Sequence, residues 1–244
     1  MIRPATAAIR RSARLRLAWL AAASLAFLGT LSATAQRSGD SSFAALVARL
    51  SETGGVFDSD NIISNEASYL QIASQLTKVG VRGGVYIGVG PDQNFSYIAL
   101  IRPRVAFMLD VRRDNMLEHL LFKSLFAISR NRLEYLLRLF GKTVPADIES
   151  FTGKPSSEIL AAFADARLDS QSVMAARRLS NERITRFGVP LTARDREMID
   201  RYRTAFVSEG LDTRYSSIGR NNRGDYRLWA RTLAERRSRE NPGL

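Results

Sequence analysis

Two glycines and one carboxylate, placed at the ends of two short apolar segments, are the residues whose spacing best fits a chemical role. Gly88 and Gly90 stand in the segment VYIGVGPD, and Asp110 follows a second apolar segment, VAFML. Glycine lets the backbone turn tightly and lets a ligand lie against it, because no Cβ occupies the space. An acid about 20 residues further on, at the end of the next strand, can accept hydrogen bonds from ribose hydroxyls. The spacing therefore predicts a strand–turn–helix–strand unit that binds a small molecule with a ribose.

Polar residues beside the glycine turn complete the candidate cofactor site. Asp92 and Asn94 follow the turn at the expected start of a helix, where free backbone N–H groups favour polar or anionic ligand atoms. Glu66 precedes the first strand in the sequence and is placed to line the cleft from the side. We therefore expect these three residues to join the two glycines and Asp110 in binding a cofactor.

The same residues also have purely structural interpretations. The glycines can simply form a tight turn between a strand and a helix. Asp92 and Asn94 can cap the helix after the turn, whereas Asp110 can cap the next helix or pair with Arg112 or Arg113. The sequence alone leaves both sets of roles open.

Three segments carry a resemblance to a known family. The stretches DNIISNEASYL, YIGVGPDQNFSYI and DVRRDN, within a region of roughly residues 43–217, resemble an uncharacterised bacterial protein family. That family is similar to class I S-adenosylmethionine-dependent methyltransferases in having a Rossmann-like sheet. The resemblance implies S-adenosylmethionine as the cofactor and implies that Gly88, Gly90 and Asp110 line its cleft. It assigns no reaction, substrate or catalytic residue, so it leaves open whether the chain is an enzyme.

One departure from the dinucleotide-binding fingerprint bears on the kind of ligand. Gln93 stands where the third glycine of that fingerprint would be. This residue counts against a tightly bound pyrophosphate and fits a ligand that has a ribose but no pyrophosphate, such as S-adenosylmethionine. Methyl transfer can proceed by positioning and desolvation alone. The lack of an obvious catalytic base therefore does not exclude it.

Short apolar segments with glycine boundaries predict the strands that would hold this site. We expect two buried strands at residues 85–89 and 105–109, with a helix between them that Pro103 closes, and a third short strand at 213–217. The predicted fold class is α/β. It consists of an incomplete Rossmann-like, methyltransferase-like parallel sheet of two or three strands with a large helical portion.

Hydrophobic periodicity predicts the helices around the sheet. One helix is expected from Ser64, as its N-cap, to Gly80, and a leucine-rich helical region covers residues 115–140 with a break near residue 130. A helical insertion occupies about 145–210, and Thr192 with the acid three residues later resembles a capping box.

The N-terminal segment predicts export. Residues 1–35 contain five arginines, no acid, an apolar run at 17–31 and a small-x-small site that ends at Ala35. This pattern is typical of a signal peptide cleaved after Ala35, which predicts a periplasmic or secreted protein. An uncleaved anchor in the inner membrane is the alternative. The domain then covers 36–218. The arginine-rich tail 219–244 lacks a strand pattern, so we expect the chain to be a truncated form of a longer protein.

Composition excludes several classes of function. The chain has no Cys and a single His, His119, which argues against thiolate or multi-histidine metal sites. We give His119 a packing role. The net charge of +12 comes largely from the leader and the tail, because residues 36–211 carry 23 basic against 20 acidic side chains. We therefore expect no nucleic-acid partner and no membrane contact apart from an uncleaved leader.

Two function hypotheses from different classes remain. The first is binding of a small molecule, with S-adenosylmethionine as the candidate cofactor. The second is a non-catalytic exported scaffold or partner-binding protein that keeps the fold without a cofactor.

Overall fold

The chain forms an α/β structure with a large helical portion. The computed structural model describes residues 42–55, 57, 60–66 and 69–215. Residues 42–50 form the described part of a helix, α1. The elements that follow, in chain order, are a 3₁₀ turn at Tyr69–Ile72, α2 (Ala73–Val79), β1 (Val85–Val89), α3 (Gln93–Ile101), β2 (Val105–Leu109), α4 (Arg113–Ile128), α5 (Arg132–Leu139), a 3₁₀ turn at Ile148–Phe151, α6 (Ser156–Asp165), α7 (Ser170–Arg186), α8 (Ala193–Glu209) and a 3₁₀ turn at Gly210–Asp212.

The two predicted strands exist and pair in parallel. Val85 lies opposite Val105 and Val89 opposite Leu109, with the residues between them in register. Parallel strands need a crossover connection, and α3 supplies it, packing against β1. Among the described residues these are the two strands of the sheet. The α/β class and the two-stranded parallel sheet confirm the fold class expected from the sequence.

The described residues leave one face of this sheet uncovered, so the predicted burial of both strands is wrong on that side. The register places three apolar side chains of each strand on the face, and α3 lies on the opposite face, where Asn94 contacts Gly88 and Tyr86. Parallel sheets normally have both faces covered. Here the exposed fractions reach 61% for Val85, 66% for Ile87, 66% for Val89, 45% for Val105 and 50% for Leu109.

The apolar core lies instead among the helices α4, α5, α6 and α8. Leu117, Leu121 and Leu125 follow one another at a spacing of four on α4 and are fully buried, so they form one continuous helix face. This face packs against α8 and α5, where Leu137 and Tyr202 are also fully buried. The leucine-rich region therefore forms core packing, as its periodicity indicates.

The helix boundaries follow local capping chemistry. Asn131 accepts a hydrogen bond from the backbone N–H of Glu134 and starts α5, which explains the predicted break near residue 130. Thr192 and Asp195 form the reciprocal capping box at the start of α8. Arg113 donates two hydrogen bonds of 2.9 Å to the carboxylate of Asp195, so this cap also joins α4 to α8.

Two expected elements differ from the prediction. The helix expected from Ser64 begins only at the 3₁₀ turn Tyr69–Ile72. Ser64 is held instead by Asp92, whose carboxylate accepts its backbone N–H. It ends as expected at Gly80, which has a left-handed φ of 70°. Residues 213–215 of the third expected strand form no strand; its last two residues lie outside the described residues, as do the predicted leader and tail.

The chain divides into two compact units. The described part of the first consists of residues 42–51 and 186–189, where Phe43 and Phe187 make an edge-on ring contact. The second contains the described residues of 52–185 and 190–215, with the sheet and the helical core. None of the described helices combines the length and the apolar character that a membrane crossing requires.

Candidate functional site

An open groove of about 460 Å³ lies beside β1. The 3₁₀ turn Tyr69–Ile72 forms one wall, and β1 with the first turns of α3 forms the other. A volume of this size is typical of small-molecule pockets. Its lining includes three of the residues predicted from the sequence and three tyrosines: Glu66, Gly88, Asn94, Tyr69, Tyr86 and Tyr97.

Three tyrosines line the groove, and the hydroxyls of two of them are hydrogen-bonded within the protein. The hydroxyl of Tyr97 donates to the backbone carbonyl of Tyr69 at 2.8 Å, and the two rings meet edge-on. The hydroxyl of Tyr86 donates to Oδ1 of Asn94 at 2.7 Å. These bonds fix the ring orientations, so the aromatic surfaces are the parts of the tyrosines that remain for a ligand.

Gly88 makes room for an amide of the protein itself. A Cβ at this position would stand 1.9 Å from Oδ1 of Asn94. Nδ2 of Asn94 donates to the backbone carbonyls of Val89, Gly90 and Pro91 at 3.1, 3.0 and 2.9 Å. From the sequence we expected a ligand in this space. In the structure Asn94 fills it and closes the turn from inside.

Gly90 is a turn glycine with a left-handed φ of 81°. Its N–H donates to the carbonyl of Leu109, and its carbonyl accepts from Asn94 and lies 3.0 Å from Nε2 of His119. Both backbone groups are therefore engaged. The ring of His119 also packs edge-on against Phe95, which agrees with the packing role expected for it.

Asp110 pairs with Arg112, which was one of the alternatives that the sequence left open. Its Oδ1 accepts from the backbone N–H of Arg112 at 2.8 Å and from Nε at 3.2 Å, and Oδ2 accepts from Nη2 at 3.2 Å. Arg112 is 3% exposed and also donates to the carbonyl of Asp60. The carboxylate predicted to hold ribose hydroxyls is thus committed to a buried guanidinium.

Asp92 and Glu66 are connected through Ser64. Oδ1 of Asp92 accepts from the backbone N–H of Ser64 at 2.6 Å, and Oγ of Ser64 accepts from the backbone N–H of Glu66 at 3.0 Å. This arrangement holds the exposed side chain of Glu66 at the groove. Of the six predicted residues, the groove thus gathers Glu66, Gly88 and Asn94. Cofactor binding by all six stays a prediction.

Comparison with known proteins places the chain in a family. Residues 61–184 match a domain of unknown function, DUF7790. The chain belongs to this family. No curated protein and no solved structure matches it. The expected membership of an uncharacterised family is confirmed, while the expected likeness to methyltransferases has no support from these comparisons.

The DUF7790 segment also contains a buried acid that the sequence analysis missed. Glu118 on α4 is 0% exposed, and neither of its carboxyl oxygens has a hydrogen-bond partner among the described residues. Its burial is the main reason why its pKa lies well above the ordinary value, and the charge of Asp92 adds to the effect. The signal was a charged residue between Leu117 and Leu121, on the side of α4 that also buries Asn115 and Leu125.

The described residues of the DUF7790 chain contain no group of three or more acids and histidines arranged to hold a metal ion. Two acids near Glu118 accept hydrogen bonds instead: Asp110 from Arg112 and Asp92 from the backbone N–H of Ser64. The site that the geometry offers is therefore the tyrosine groove, with the buried acid beneath its glycine turn.

Proposed function

We propose that this protein binds S-adenosylmethionine, or a similar cationic nucleoside, in the tyrosine groove beside β1. The observation that carries the proposal is the lining of the groove. Three tyrosines contribute to it, and Glu66 is the one charged side chain among the described residues that line it. A planar base can lie against the tyrosine rings, and a sulfonium or ammonium group is attracted to their faces.

Glu66 takes the polar role that the sequence assigned to Asp110. An exposed carboxylate at the groove can accept hydrogen bonds from ribose hydroxyls or pair with an ammonium group. Asp110 is held by Arg112, and releasing it would leave a buried guanidinium without its partner. A ligand bound through Glu66 avoids that cost. The proposal therefore keeps the ligand class expected from the sequence and places its polar anchor on the other side of β1.

Export is part of the same proposal, and it determines which ligand the groove meets. The leader at residues 1–35 supports export through its arginines, apolar run and small-x-small site. S-adenosylmethionine is a cytoplasmic metabolite, so an exported protein would meet nucleosides from outside the cytoplasm. Sequencing the mature N-terminus from fractionated cells tests this. A periplasmic chain beginning at Gln36 supports export, and a cytoplasmic chain that retains Met1 refutes it.

Calorimetric titration of the full chain tests the groove. We expect S-adenosylmethionine to bind and ATP to bind far more weakly, because the one charged side chain among the described residues that line the groove is negative. Glu66→Gln should weaken binding about tenfold or more, which is the loss expected for a hydrogen bond to a charged group. Glu209→Gln, an exposed acid at the end of α8, serves as the matched control. Folded protein that gives no heat with millimolar ligand, or equal binding by the Glu66→Gln variant, refutes the proposal.

The uncovered sheet face favours a second candidate function, partner binding by a scaffold without a cofactor. The first partner to test is a second copy of this chain, because apolar faces from two copies can cover each other. Burying such side chains fully contributes roughly 1.5–3 kcal/mol each. Burying the half-exposed side chains of two copies would therefore contribute a free energy of the same order as the cost of association, which is about 4–15 kcal/mol.

Sedimentation velocity at increasing protein concentration tests this dimer. We expect a weak, concentration-dependent dimer that Ile87→Asp abolishes. Met174→Asp, at a residue that is 62% exposed on α7, should leave the dimer intact. A wild-type chain that stays monomeric at several hundred micromolar, or a dimer that persists in the Ile87→Asp variant, rules out this candidate.

A further inference from the structure

The interior beneath the glycine turn contains polar atoms without partners. Both carboxyl oxygens of Glu118, Oδ1 of Asn115 and the hydroxyl of Tyr202 are buried and have no hydrogen-bond partner among the described residues. Asn115 and Glu118 stand three residues apart on α4, so they share a helix face. Buried polar atoms in this state are rare and costly in proteins. Their clustering indicates that this acid has a role beyond packing.

Charged and titratable groups from several elements surround Glu118. Burial opposes its ionisation most strongly, Asp92 adds to this effect, and Arg112 counteracts it in part. The groups that influence it electrostatically, or are influenced by it, come from the segment before the sheet, the start of α3, the turn after β2, α5 and α8: Asp60, Asp92, Asp110, Arg112, Tyr135 and Tyr202. Full burial without a hydrogen-bond partner among the described residues therefore favours the protonated, neutral form of Glu118.

Asp92 connects this buried acid to the groove. Its carboxylate accepts the backbone N–H of Ser64, and Ser64 in turn holds the backbone of Glu66. A carboxylate accepts such bonds more strongly when it is ionised. The charge of Asp92 raises the pKa of Glu118, because two ionised carboxylates close to each other repel. Asp92 can therefore stay ionised beside Glu118 only while Glu118 keeps its proton.

We propose that Glu118 is a positioning residue for the groove: as a neutral acid it lets Asp92 remain ionised and hold Ser64, which keeps Glu66 at the ligand. This inference rests on the proposed groove function. When Glu118 ionises, either Asp92 takes up a proton or the segment around Ser64 moves away from it. Both responses weaken the bond between Asp92 and Ser64, so the groove keeps its anchor below the folded pKa of Glu118 and loses it as pH rises through that pKa.

A comparison of the wild-type chain with Glu118→Gln and Glu118→Met tests the buried acid without any ligand. The folded-state pKa of Glu118 lies above its unfolded value, so its contribution to stability is lost as pH rises through the folded pKa. Between the two pKa values the unfolding equilibrium constant of the wild type should rise by up to tenfold per pH unit. Both variants remain neutral and should lack this part of the slope. Two variants are used so that poor packing of one still leaves the other as the test.

Hydrogen exchange of the Ser64 amide reads the position of the segment directly. It is followed by NMR at one pH below and one pH above the folded pKa of Glu118, where its slope in the stability profile ends. After correction for the intrinsic exchange rate, the wild type should lose protection at the higher pH, whereas the Glu118→Gln chain should keep it. Equal protection of the Ser64 amide in both chains at both pH values overturns the inference.

Titration with S-adenosylmethionine at the same two pH values connects the effect to the groove. Wild-type affinity should fall about tenfold or more from the lower to the higher pH, the loss expected for a hydrogen bond to a charged group, and Glu118→Gln affinity should change little. Absence of binding at any pH contradicts the groove function, while the amide exchange still decides the role of Glu118. Binding that weakens equally in both chains overturns the role of Glu118 and leaves the groove function standing.

Discussion

Replacing Gly88 with alanine tests why a glycine stands in β1. The added Cβ would lie 1.9 Å from Oδ1 of Asn94, so the amide must leave its place. That amide accepts one hydrogen bond from Tyr86 and donates to three backbone carbonyls. A typical hydrogen bond contributes about 0.5–1.5 kcal/mol net. Two of the three carbonyls have other donors, His119 for Gly90 and Gln93 for Val89. We therefore expect Gly88→Ala to cost about 2–4 kcal/mol of unfolding free energy.

A double-mutant cycle measured by urea unfolding isolates the cause. If the methyl group acts by displacing the amide, Gly88→Ala should cost little once Asn94→Ala has removed that side chain. The coupling free energy should then approach the whole cost of the single substitution, about 2 kcal/mol or more. The ring of Tyr86 lies 2.6 Å from the same Cβ position, so a small cost remains in the double variant. An equal cost of Gly88→Ala in both backgrounds refutes the reasoning.

Further measurements address the ion pairs, a helix cap and local stability. Asp110→Asn should lower the unfolding free energy by about 3 kcal/mol, because it removes the charge that accompanies the buried Arg112. Thr192→Ala should cost about 1 kcal/mol through loss of the α8 capping box, whereas Thr185→Ala on the exposed side of α7 should cost less. Burial opposes the ionisation of Glu134, but hydrogen bonds from two arginines outweigh it and lower its pKa to about 2. Its stabilising contribution is present above an unfolded pKa of about 4.3 and is lost as pH falls toward 2, so Glu134→Gln should flatten that part of a stability profile. Amide exchange in β1 should proceed by local opening at a lower free energy than in α4; exchange of both only through global unfolding would contradict this.

The sequence predicts elements whose causes are local. Gly80, Asn131 and the Thr192–Asp195 pair end or begin helices through their own backbone geometry or side chains, so a short window contains the whole cause. The two strands are also local, since their apolar runs have glycine and proline boundaries. Their burial is not local. It depends on what covers Val85 and Ile87, and no pattern within the strands contains that information.

The site shows the same limit for side chains. A glycine beside a turn indicates that something approaches closely, but the sequence does not say whether a ligand or Asn94 does so. The sequence could name Arg112 and Arg113 as possible partners of Asp110, because they lie only two and three positions after it in the chain. Glu118 differs from these cases, since its neighbours Asp92 and Tyr202 come from distant segments. Only the irregular charge on a leucine-rich helix face indicates it.

Because apolar burial is unevenly distributed, ligand binding would raise local stability most at the groove. The buried apolar side chains belong mostly to α4, α5, α6 and α8, whereas α2 and the strands contribute none. Regions with few buried contacts open at a lower free energy than the core. The α/β part is therefore held by specific polar contacts, of Asn94 to the turn and of Asp92 to Ser64, more than by apolar packing. A ligand that contacts both walls of the groove would add to those contacts where apolar packing contributes least, so its binding should protect β1 and the Ser64 segment while the helical core changes little.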